Sequence, residues 1–344
     1  MKQYTDFVLS KTAALLNIPS PSGCTGDAIA WLKREFAMMG FECEITVKGG
    51  LIVDLGGEES AEGALLLEAH CDTLGAMVCE LKSNGRLRLT NIGGMNANNA
   101  ETENAIVITR SGKRYEGTLQ LINASIHVNG DYNSTSRSWD SVELVPDEDV
   151  SDAQGLRELG INVGDYVCFE PRTRITSRGY IKSRFLDDKL SVGILLGLAA
   201  AIRDGSVKPK RHVWAHVTVY EEVGHGGSAS VPSDVREAIS VDMGCVGEGL
   251  ACTEHMVSIC AKDSRGPYNR EIVLKLIDAA ERAGAKYAVD VYPHYGSDVE
   301  ATLSAGYDLR HGLIGPGVYA SHGYERSHRD GVENTLKLLM AYIG

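Results

Sequence analysis

The feature that most restricts the fold is an alternation of helix and strand patterns that a long all-β stretch interrupts. Apolar residues between Ala28 and Met39 recur at helical spacing, and Gly40 follows where a helix end favours a left-handed residue. The run 64–69 is almost continuously apolar, which is typical of a strand covered on both faces. From Gly179 onward strands and helices alternate again. This order predicts an α/β domain with a mostly parallel sheet and helices on both faces.

The stretch between residues 74 and 177 has a different pattern. Short runs of alternating polarity are separated by turns rich in Gly and Asn, and no amphipathic helix of three turns is evident in its first two thirds. The 38 glycines of the chain fit many tight turns. We therefore expect an inserted all-β barrel over 74–177, with residues 1–73 and 178–344 forming the α/β domain together.

Charge and cysteine usage exclude several classes of partner. The chain has 34 Lys and Arg against 46 Asp and Glu, a net charge of -12, and no basic run, which argues against nucleic-acid binding. No apolar stretch approaches the roughly 18 residues of a membrane-spanning helix, and the N-terminus lacks the pattern of a secretory signal. The eight cysteines contain no C-x-x-C pair and lie mostly in apolar segments. We expect a cytoplasmic protein with no membrane partner, whose cysteines are buried thiols.

Acidic residues and histidines recur where the predicted strands end. Four strands are followed by such side chains, and one more histidine lies in a Gly/Ser turn before the last helix: His70 and Asp72; Asp187 and Asp188; Glu221 and Glu222; Asp242; and His322. In an α/β sheet the carboxyl ends of parallel strands meet at one edge, where ligands collect. The sequence therefore predicts one site that assembles these side chains.

The mixture of imidazoles and carboxylates indicates a divalent metal site. This donor set suits zinc, cobalt or manganese better than calcium or magnesium, and carboxylates can bridge two ions. Taken singly, His70 with Asp72 could be an ordinary hydrogen-bonded pair, and Asp187 with Asp188 could cap the following helix. Glu221 and Glu222 are costly to bury together without a cation or a shared proton. Taken together, the segments favour a dinuclear hydrolytic site.

Several short segments stand at these strand ends and turns in the order IPSPSG, AHCDTLGAMV, FLDDKLSVG, YEEVGHGG, VDMG, YGSD and SHG. They resemble the tetrahedral (TET-type) metallo-aminopeptidases, which include glutamyl and deblocking aminopeptidases, and the resemblance covers nearly the whole chain. It implies a zinc-exopeptidase type of α/β domain, and an inserted barrel that helps to build a homododecamer. The implied activity is removal of N-terminal residues from short peptides.

The resemblance also implies a set of metal ligands. His70 and Asp242 would hold one ion, Glu222 and His322 would hold the other, and Asp187 would bridge them. We expect two divalent ions per subunit, with zinc preferred to cobalt or manganese.

Two further carboxylates take catalytic roles by the same resemblance. Glu221 would be the general base, and Asp72 would orient the ligand His70 and raise its basicity. Neighbouring residues on a strand point to opposite faces, so a turn is needed for both glutamates to reach the site. We expect a turn beginning near Gly224 to let Glu222 reach the metal while Glu221 faces the substrate water.

The chain departs from the usual family pattern at several positions. Lys189 stands where Arg is common, Tyr220 stands where Gln is common, and His225 lies inside a motif. The segment VYASHGYERSH differs from the more usual RYIHSP and offers His328 as a rival ligand. We prefer His322, because it follows a short strand and a small-residue turn.

The sequence is also compatible with other functions. The nearest alternative is a metal-dependent amidase or deacylase acting on N-acylated amino acids, and a second is a binding or assembly protein without activity. A glycosidase that uses Glu221 and Glu222 is excluded, because adjacent residues do not flank a sugar at the required separation. A preference for acidic substrates could come from Arg310 and His311.

Overall fold

The computed structural model describes all 344 residues, which form two compact units. The larger unit comprises Met1–Asp72 and Arg172–Gly344, and the smaller comprises Thr73–Pro171. The smaller unit thus ends six residues before the predicted boundary at 177. The reason is that the short strand at 174–175 pairs with the strand at 180–183, which belongs to the larger sheet. None of the helices has both the length and the apolar character that crossing a membrane requires.

Eight helices and eighteen strands alternate along the chain. The helices are α1 (Lys2–Leu16), α2 (Gly26–Met38), α3 (Ala97–Ala100), α4 (Ala153–Leu159), α5 (Leu186–Arg203), α6 (Arg270–Arg282), α7 (Asp298–Ser304) and α8 (Arg329–Ile343). The strands are β1 (Glu42–Ile45), β2 (Leu51–Asp54), β3 (Ala64–His70), β4 (Gly75–Leu81), β5 (Leu87–Ile92), β6 (Asn104–Ile108), β7 (Arg114–Leu121), β8 (Val142–Pro146), β9 (Tyr166–Phe169), β10 (Arg174–Ile175), β11 (Tyr180–Ser183), β12 (Val213–Thr218), β13 (Val235–Val241), β14 (Gly244–Val246), β15 (Val257–Lys262), β16 (Tyr287–Val291), β17 (Arg310–Tyr319) and β18 (Glu325–His328).

A twelve-stranded sheet organises the larger unit. Its main path runs β1-β2-β12-β3-β13-β17-β18-β11-β10, with β14 and β15 paired to β17 and β16 paired to β15. The central strands β12, β3, β13 and β17 are parallel, whereas the outer pairs β1–β2, β17–β18, β18–β11 and β11–β10 are antiparallel. The predicted α/β domain with an inserted barrel is confirmed. Its parallel pairing is concentrated in the centre of the sheet, where the site lies.

Local sequence explains the core elements. All seven residues of β3 are buried, as its continuous apolar run predicts. Helix α2 ends before Gly40, whose φ of +90° places it in the left-handed region that favours glycine. Every residue of α5 from Leu186 to Ala201 is buried, because α1, α8 and β3 pack around it. A helix apolar on all sides belongs in the interior, so its N-terminal acidic residues are carried inside too.

The smaller unit is a closed barrel with the strand order β4-β5-β8-β7-β6-β9. All its strand pairs are antiparallel. Alternate residues face inward and form its apolar core, for example Leu87, Leu89, Val107, Leu119, Leu144 and Val167. The loop between β7 and β8 exposes Ile126 and Val128 instead.

Candidate metal centre and active site

The predicted site residues converge at one edge of the central sheet. Strand β3 ends at His70, and Asp242 follows directly on β13. The glutamate pair follows β12, and His322 lies in the turn after β17. Because these four strands are parallel neighbours, their carboxyl ends lie side by side. A cavity of about 510 Å³ opens here, and five carboxylates line it: Asp187, Glu221, Glu222, Asp242 and Asp298.

Asp187 lies between the two imidazoles. Its Oδ1 is 3.2 Å from Nε2 of His70, and its Oδ2 is 3.6 Å from Nε2 of His322. Ser321 Oγ donates a hydrogen bond to Oδ2 at 3.0 Å. The backbone of Asp187 is not helical although it stands in the first turn of α5, and its peptide bond to Asp188 is cis. One carboxylate thus presents one oxygen to each histidine, which is the arrangement a bridging ligand needs.

Both glutamates line the cavity because β12 ends before them. Tyr220 has a φ of +72°, and Glu221–Val223 then form a 3-10 turn. The alternation of a strand no longer applies there, so neighbours can face the same way. Glu221 Oε2 lies 3.6 Å from Nε2 of His70, and Glu222 Oε2 lies 3.6 Å from Nε2 of His322. The chain therefore turns at Tyr220, earlier than the expected bend near Gly224.

Asp72 holds several of the site residues in place. Its backbone carbonyl oxygen is 2.9 Å from Nδ1 of His70, and its Oδ1 is 3.6 Å from the same nitrogen. The buried carboxylate also accepts hydrogen bonds from the backbone N–H groups of Glu221 and Glu222, at 3.2 and 3.3 Å, and from the Ser22 hydroxyl at 2.5 Å. Asp72 therefore contacts the His70 ring and anchors the turn that carries both glutamates.

Asp188 and Asp242 complete the buried cluster around His70. Ligand atoms of these three residues lie within 4.8 Å of one another, as do those of His70, Asp187 and Glu222. Asp188 accepts the backbone N–H of His70 at 3.3 Å and is fully buried. Its carboxylate therefore binds the end of β3. The helix-cap interpretation of Asp187 and Asp188 does not account for this contact.

The electrostatics of the cluster favour bound cations. Burial, and then neighbouring carboxylates, raise the pKa of Glu221 and Glu222 and raise that of Asp242 to about 7. Burial opposes ionisation of Asp187 as well, but the hydrogen bond and charge of His70 outweigh it and lower the Asp187 pKa. So many carboxylates cannot all ionise in one buried place without compensating positive charge. Two imidazoles and several carboxylates suit divalent ions of the zinc type, so these residues fit such ions.

Glu325 is a contributor that the sequence did not reveal. This buried carboxylate accepts the backbone N–H of Asp187 through Oε2 and that of His322 through Oε1, both at 3.1 Å. It joins two segments of the site that are far apart in sequence. The only local signal was its position three residues after His322, at the start of β18, which has no apolar pattern.

Lys48 is a second missed contributor. Its ammonium group, from the turn between β1 and β2, donates to the backbone oxygens of His225 and Gly226 and to Ser228 Oγ at 3.0 Å. These acceptors form the loop that follows the glutamate turn. Charges of buried carboxylates, first Asp298, act on Lys48 and oppose the lowering of its pKa by burial. No motif around Lys48 predicts this long-range contact.

Two of the departures from the family pattern contact each other. The rings of Tyr220 and His225 stack with their centroids 5.0 Å apart and their planes 19° apart. Lys189 is buried and donates to the backbone oxygens of Leu15 and Ile18, at 3.1 and 2.6 Å. None of these three departures changes the donor set in the cavity.

The structure places His322 in the cavity and His328 elsewhere. His328 Nδ1 accepts the backbone N–H of Asp330 at the start of α8, and its Nε2 lies 2.7 Å from the Arg178 backbone oxygen. Ligand atoms of His255, His328 and Asp330 do lie within 4.8 Å of one another. Because both ring nitrogens of His328 are engaged by the backbone, this second cluster is a helix cap with paired side chains.

Arg310 and His311 do not line the cavity. Arg310 lies 3.6 Å from the buried carboxylate of Glu237, and the His311 ring packs against Tyr268. Asp298 does line the cavity; it is the first residue of α7, and it accepts a hydrogen bond from Thr218 Oγ1 at 2.5 Å.

Known proteins resemble this chain in sequence and in fold. The family model described as M42 glutamyl aminopeptidase matches residues 49–338. YhfE of Bacillus subtilis, which carries a provisional aminopeptidase name, is 42% identical over 329 residues, covering 96% of this chain and 95% of that protein. The glutamyl aminopeptidase of Lactococcus lactis is 25% identical over 64% of this chain and 61% of its own length. The Pyrococcus horikoshii TET1 peptidase has a TM-score of 0.86 at 22% identity, covering 98% of this chain and 99% of that chain.

The fold is therefore that of the TET-type aminopeptidases, an α/β unit with an inserted barrel. The chain belongs to the M42 aminopeptidase family, and it is a hydrolase that acts on peptide bonds. Membership in this metallopeptidase family implies divalent metal ions, which the donor set of the cavity fits.

Proposed function

We propose that this chain is a dinuclear metal-dependent aminopeptidase that removes N-terminal residues from short peptides. The observation that carries the proposal is Asp187, whose two carboxylate oxygens face two different histidines in a cavity lined by further carboxylates. A carboxylate placed in this way is suited to hold two ions at once.

His70 and Asp242 would hold one ion, Glu222 and His322 would hold the other, and Asp187 would bridge them. Zinc is the ion we propose, with cobalt or manganese as substitutes, because the imidazole and carboxylate donors match its preferences. When bound, such ions polarise the peptide carbonyl and acidify water.

Glu221 would accept a proton from the attacking water and return it to the leaving amine. Its pKa is raised by burial and by neighbouring carboxylates, which brings it closer to the range in which a group can both take and give a proton near neutral pH. Asp72 would keep Glu221 in place through the backbone hydrogen bond of the turn. The acidic wall of the cavity would favour a substrate with a free amine, and this property separates an aminopeptidase from a deacylase.

One experiment tests this proposal directly. A peptide series with either a free or an acetylated N-terminus is incubated with chelated protein, and again after zinc, cobalt or manganese is restored. We expect release of the first residue from free N-termini only, and only with metal. Cleavage of the acetylated series alone would assign a deacylase instead, and full activity of the chelated protein would contradict metal dependence.

We also propose that the protein works as a homo-oligomer, a dodecamer or a dimer-based assembly, built with the inserted barrel. The Pyrococcus horikoshii TET1 peptidase can assemble into a tetrahedron or a large octahedral shell. In this chain the barrel unit exposes Ile126 and Val128, at 54% and 76%. Light scattering of the wild type and of the double variant I126D/V128D tests the proposal, and a monomeric wild type would contradict it.

We propose a cytoplasmic location, since none of the eight cysteines forms a disulfide. Free thiols persist in a reducing compartment. Fractionation of cells that produce the protein would test this location.

A further inference from the structure

The turn between β1 and β2 lies beside the strand that leads to the glutamate pair. Strand β2 pairs with β12, and its first residue, Leu51, stands opposite Val217. A Cβ at Gly50 would lie 2.8 Å from the backbone oxygen of Val217, so the turn packs tightly against β12. Within the turn, the Thr46 N–H donates to the Gly50 oxygen, and Thr46 Oγ1 accepts the Gly50 N–H, both at 2.9 Å. The backbone from which Lys48 projects is therefore fixed against the end of β12.

Lys48 has three acceptors on one short loop, residues 225–228. They are the backbone oxygens of His225 and Gly226, the latter at 2.9 Å, and Ser228 Oγ at 3.0 Å. Three acceptors match the three N–H donors of an ammonium group, and a charged donor forms stronger hydrogen bonds than a neutral one. Ser228 Oγ also donates to the His225 oxygen at 2.8 Å. Lys48 therefore ties this loop to the turn between β1 and β2.

The same loop packs against the backbone of the proposed general base. The His225 N–H donates to the Tyr220 oxygen at 3.1 Å, and the Gly224 N–H donates to the Glu221 oxygen at 2.7 Å. A Cβ on Gly226 would lie only 3.0 Å from the backbone N and Cα of Glu221. Atoms packed this closely cannot move independently. A displacement of the loop is therefore transmitted to Glu221.

Two departures from the usual family pattern, Tyr220 and His225, belong to this arrangement. Their rings stack, and His225 also supplies a backbone oxygen to Lys48. The stack thus connects the first residue of the glutamate turn to the loop that Lys48 binds. On the other side, the Asp72 carboxylate binds the N–H groups of both glutamates. An anion therefore holds the N–H groups of the turn, and a cation holds the oxygens that follow it.

We propose that Lys48 is a positioning residue for catalysis, which holds loop 225–228 and thereby sets the place of Glu221. The inference rests on the proposed aminopeptidase function, and it adds a residue that does not line the cavity. Displacing a catalytic group by about 1 Å can lower a rate by about 10²-fold. The hydrogen bonds of Lys48 do not involve the proposed metal ligands, so metal binding should not depend on it.

Kinetics of Lys48 variants test the proposal. K48M removes the three donors, and we expect kcat to fall about 10- to 100-fold while KM changes less than about three-fold and the metal content stays that of the wild type. K48R should recover part of kcat, because it keeps the charge although its planar fork cannot form three bonds from one nitrogen. S228A should lower kcat less than K48M does, since two acceptors remain. K208M is the matched control, at an exposed position outside the cavity, and should keep wild-type kinetics.

A purely structural Lys48 gives a different result. K48M would then have a lower Tm but wild-type kcat at a temperature at which it is folded, and this outcome would overturn the proposal. If K48M does not fold, K48R and S228A are compared with the wild type in the same way. Wild-type kcat in both of them would also overturn the proposal.

Hydrogen exchange separates this proposal from the proposed function, because it requires no turnover. Peptides that cover residues 219–228 should exchange faster in K48M than in the wild type, whereas peptides from the barrel unit should not change. If the wild type hydrolyses no peptide and residues 219–228 still exchange faster in K48M, the aminopeptidase function fails and the contact of Lys48 with the glutamate turn stands. Unchanged exchange of residues 219–228 in K48M would overturn the role of Lys48, whatever the activity of the wild type.

Discussion

At the scale of single residues, Glu221 and Glu222 are neighbours with different contacts. Glu221 lies beside His70, and Glu222 lies beside His322, at 3.6 Å in each case. The buried Asp72 carboxylate binds both of their backbone N–H groups. A change to one glutamate side chain should therefore leave the turn in place and alter only the chemistry that this side chain performs.

The first prediction concerns Glu221. E221Q keeps the shape of the side chain but cannot accept a proton, so we expect both metal ions to remain bound while kcat falls by about 10²- to 10⁴-fold. Elemental analysis and steady-state kinetics measure the two effects. E248Q, at an exposed position outside the cavity, is the control. A fully active E221Q would remove Glu221 from the role of base.

The second prediction distinguishes the two candidate histidines. H322A should lower the metal content per chain, because Nε2 of His322 lies beside both Asp187 and Glu222. H328A should keep the metal content and reduce only stability, by about 1 kcal/mol, since a helix cap is lost. Elemental analysis of both variants decides between them, and the opposite pattern would make His328 the ligand.

At the scale of elements, the loop after the glutamate turn is held from two sides. Lys48 binds its backbone oxygens, and α7 packs against it. Gly226 is at the point of closest approach: a Cβ there would lie 2.1 Å from Asp298 Oδ1 and 3.0 Å from the backbone N and Cα of Glu221. Asp298 cannot easily give way, because its other oxygen accepts the hydrogen bond from Thr218. The close packing of this loop therefore depends on glycine.

The third prediction follows from this contact. G226A should lower the free energy of unfolding by about 1 to 3 kcal/mol through overpacking, and it should reduce kcat by displacing Glu221. Thermal unfolding and kinetics measure the two effects. G247A is the matched control, because a Cβ at Gly247 meets nothing within 4 Å. A G226A protein with wild-type stability and activity would show that the loop can shift freely.

At the scale of the whole molecule, the buried acidic cluster couples stability to pH and to metal. Burial raises the pKa of Asp242 to about 7 and that of Asp298 to about 6, whereas an unfolded Asp titrates at about 3.9. Between these values the folded chain holds more protons than the unfolded chain. The free energy of unfolding of metal-free protein therefore falls as pH rises through this window. Divalent ions bind the ionised carboxylates and oppose that loss.

The fourth prediction concerns metal removal. Chelation should lower Tm more at about pH 7.5 than at about pH 5, because ligand carboxylates are protonated at the lower pH. Calorimetry of chelated and metal-restored protein at both values measures the difference. A Tm difference that is equal at both pH values would contradict the linkage between the acidic cluster and the metal ions.

Local patterns in the sequence were sufficient for the order of the elements and for most of the acidic and histidine cluster. Residue types and their local spacing can be read directly from a linear sequence. They were enough to predict the buried strand β3, the left-handed Gly40 and the all-β insertion. The residues after each strand could be assigned to one edge, because parallel strands end together. These inferences needed no knowledge of distant contacts.

The tertiary structure decided which residues support that cluster and which arginine lines the cavity. Glu325 joins Asp187 to His322 through backbone N–H groups, and Lys48 holds a loop that lies far from it in the sequence. Arg265, rather than Arg310, lines the cavity, because Arg310 lies against the buried Glu237. The physical reason is that such contacts depend on where the folded backbone places each group in space. Residue types and their spacing along the chain do not by themselves specify that placement.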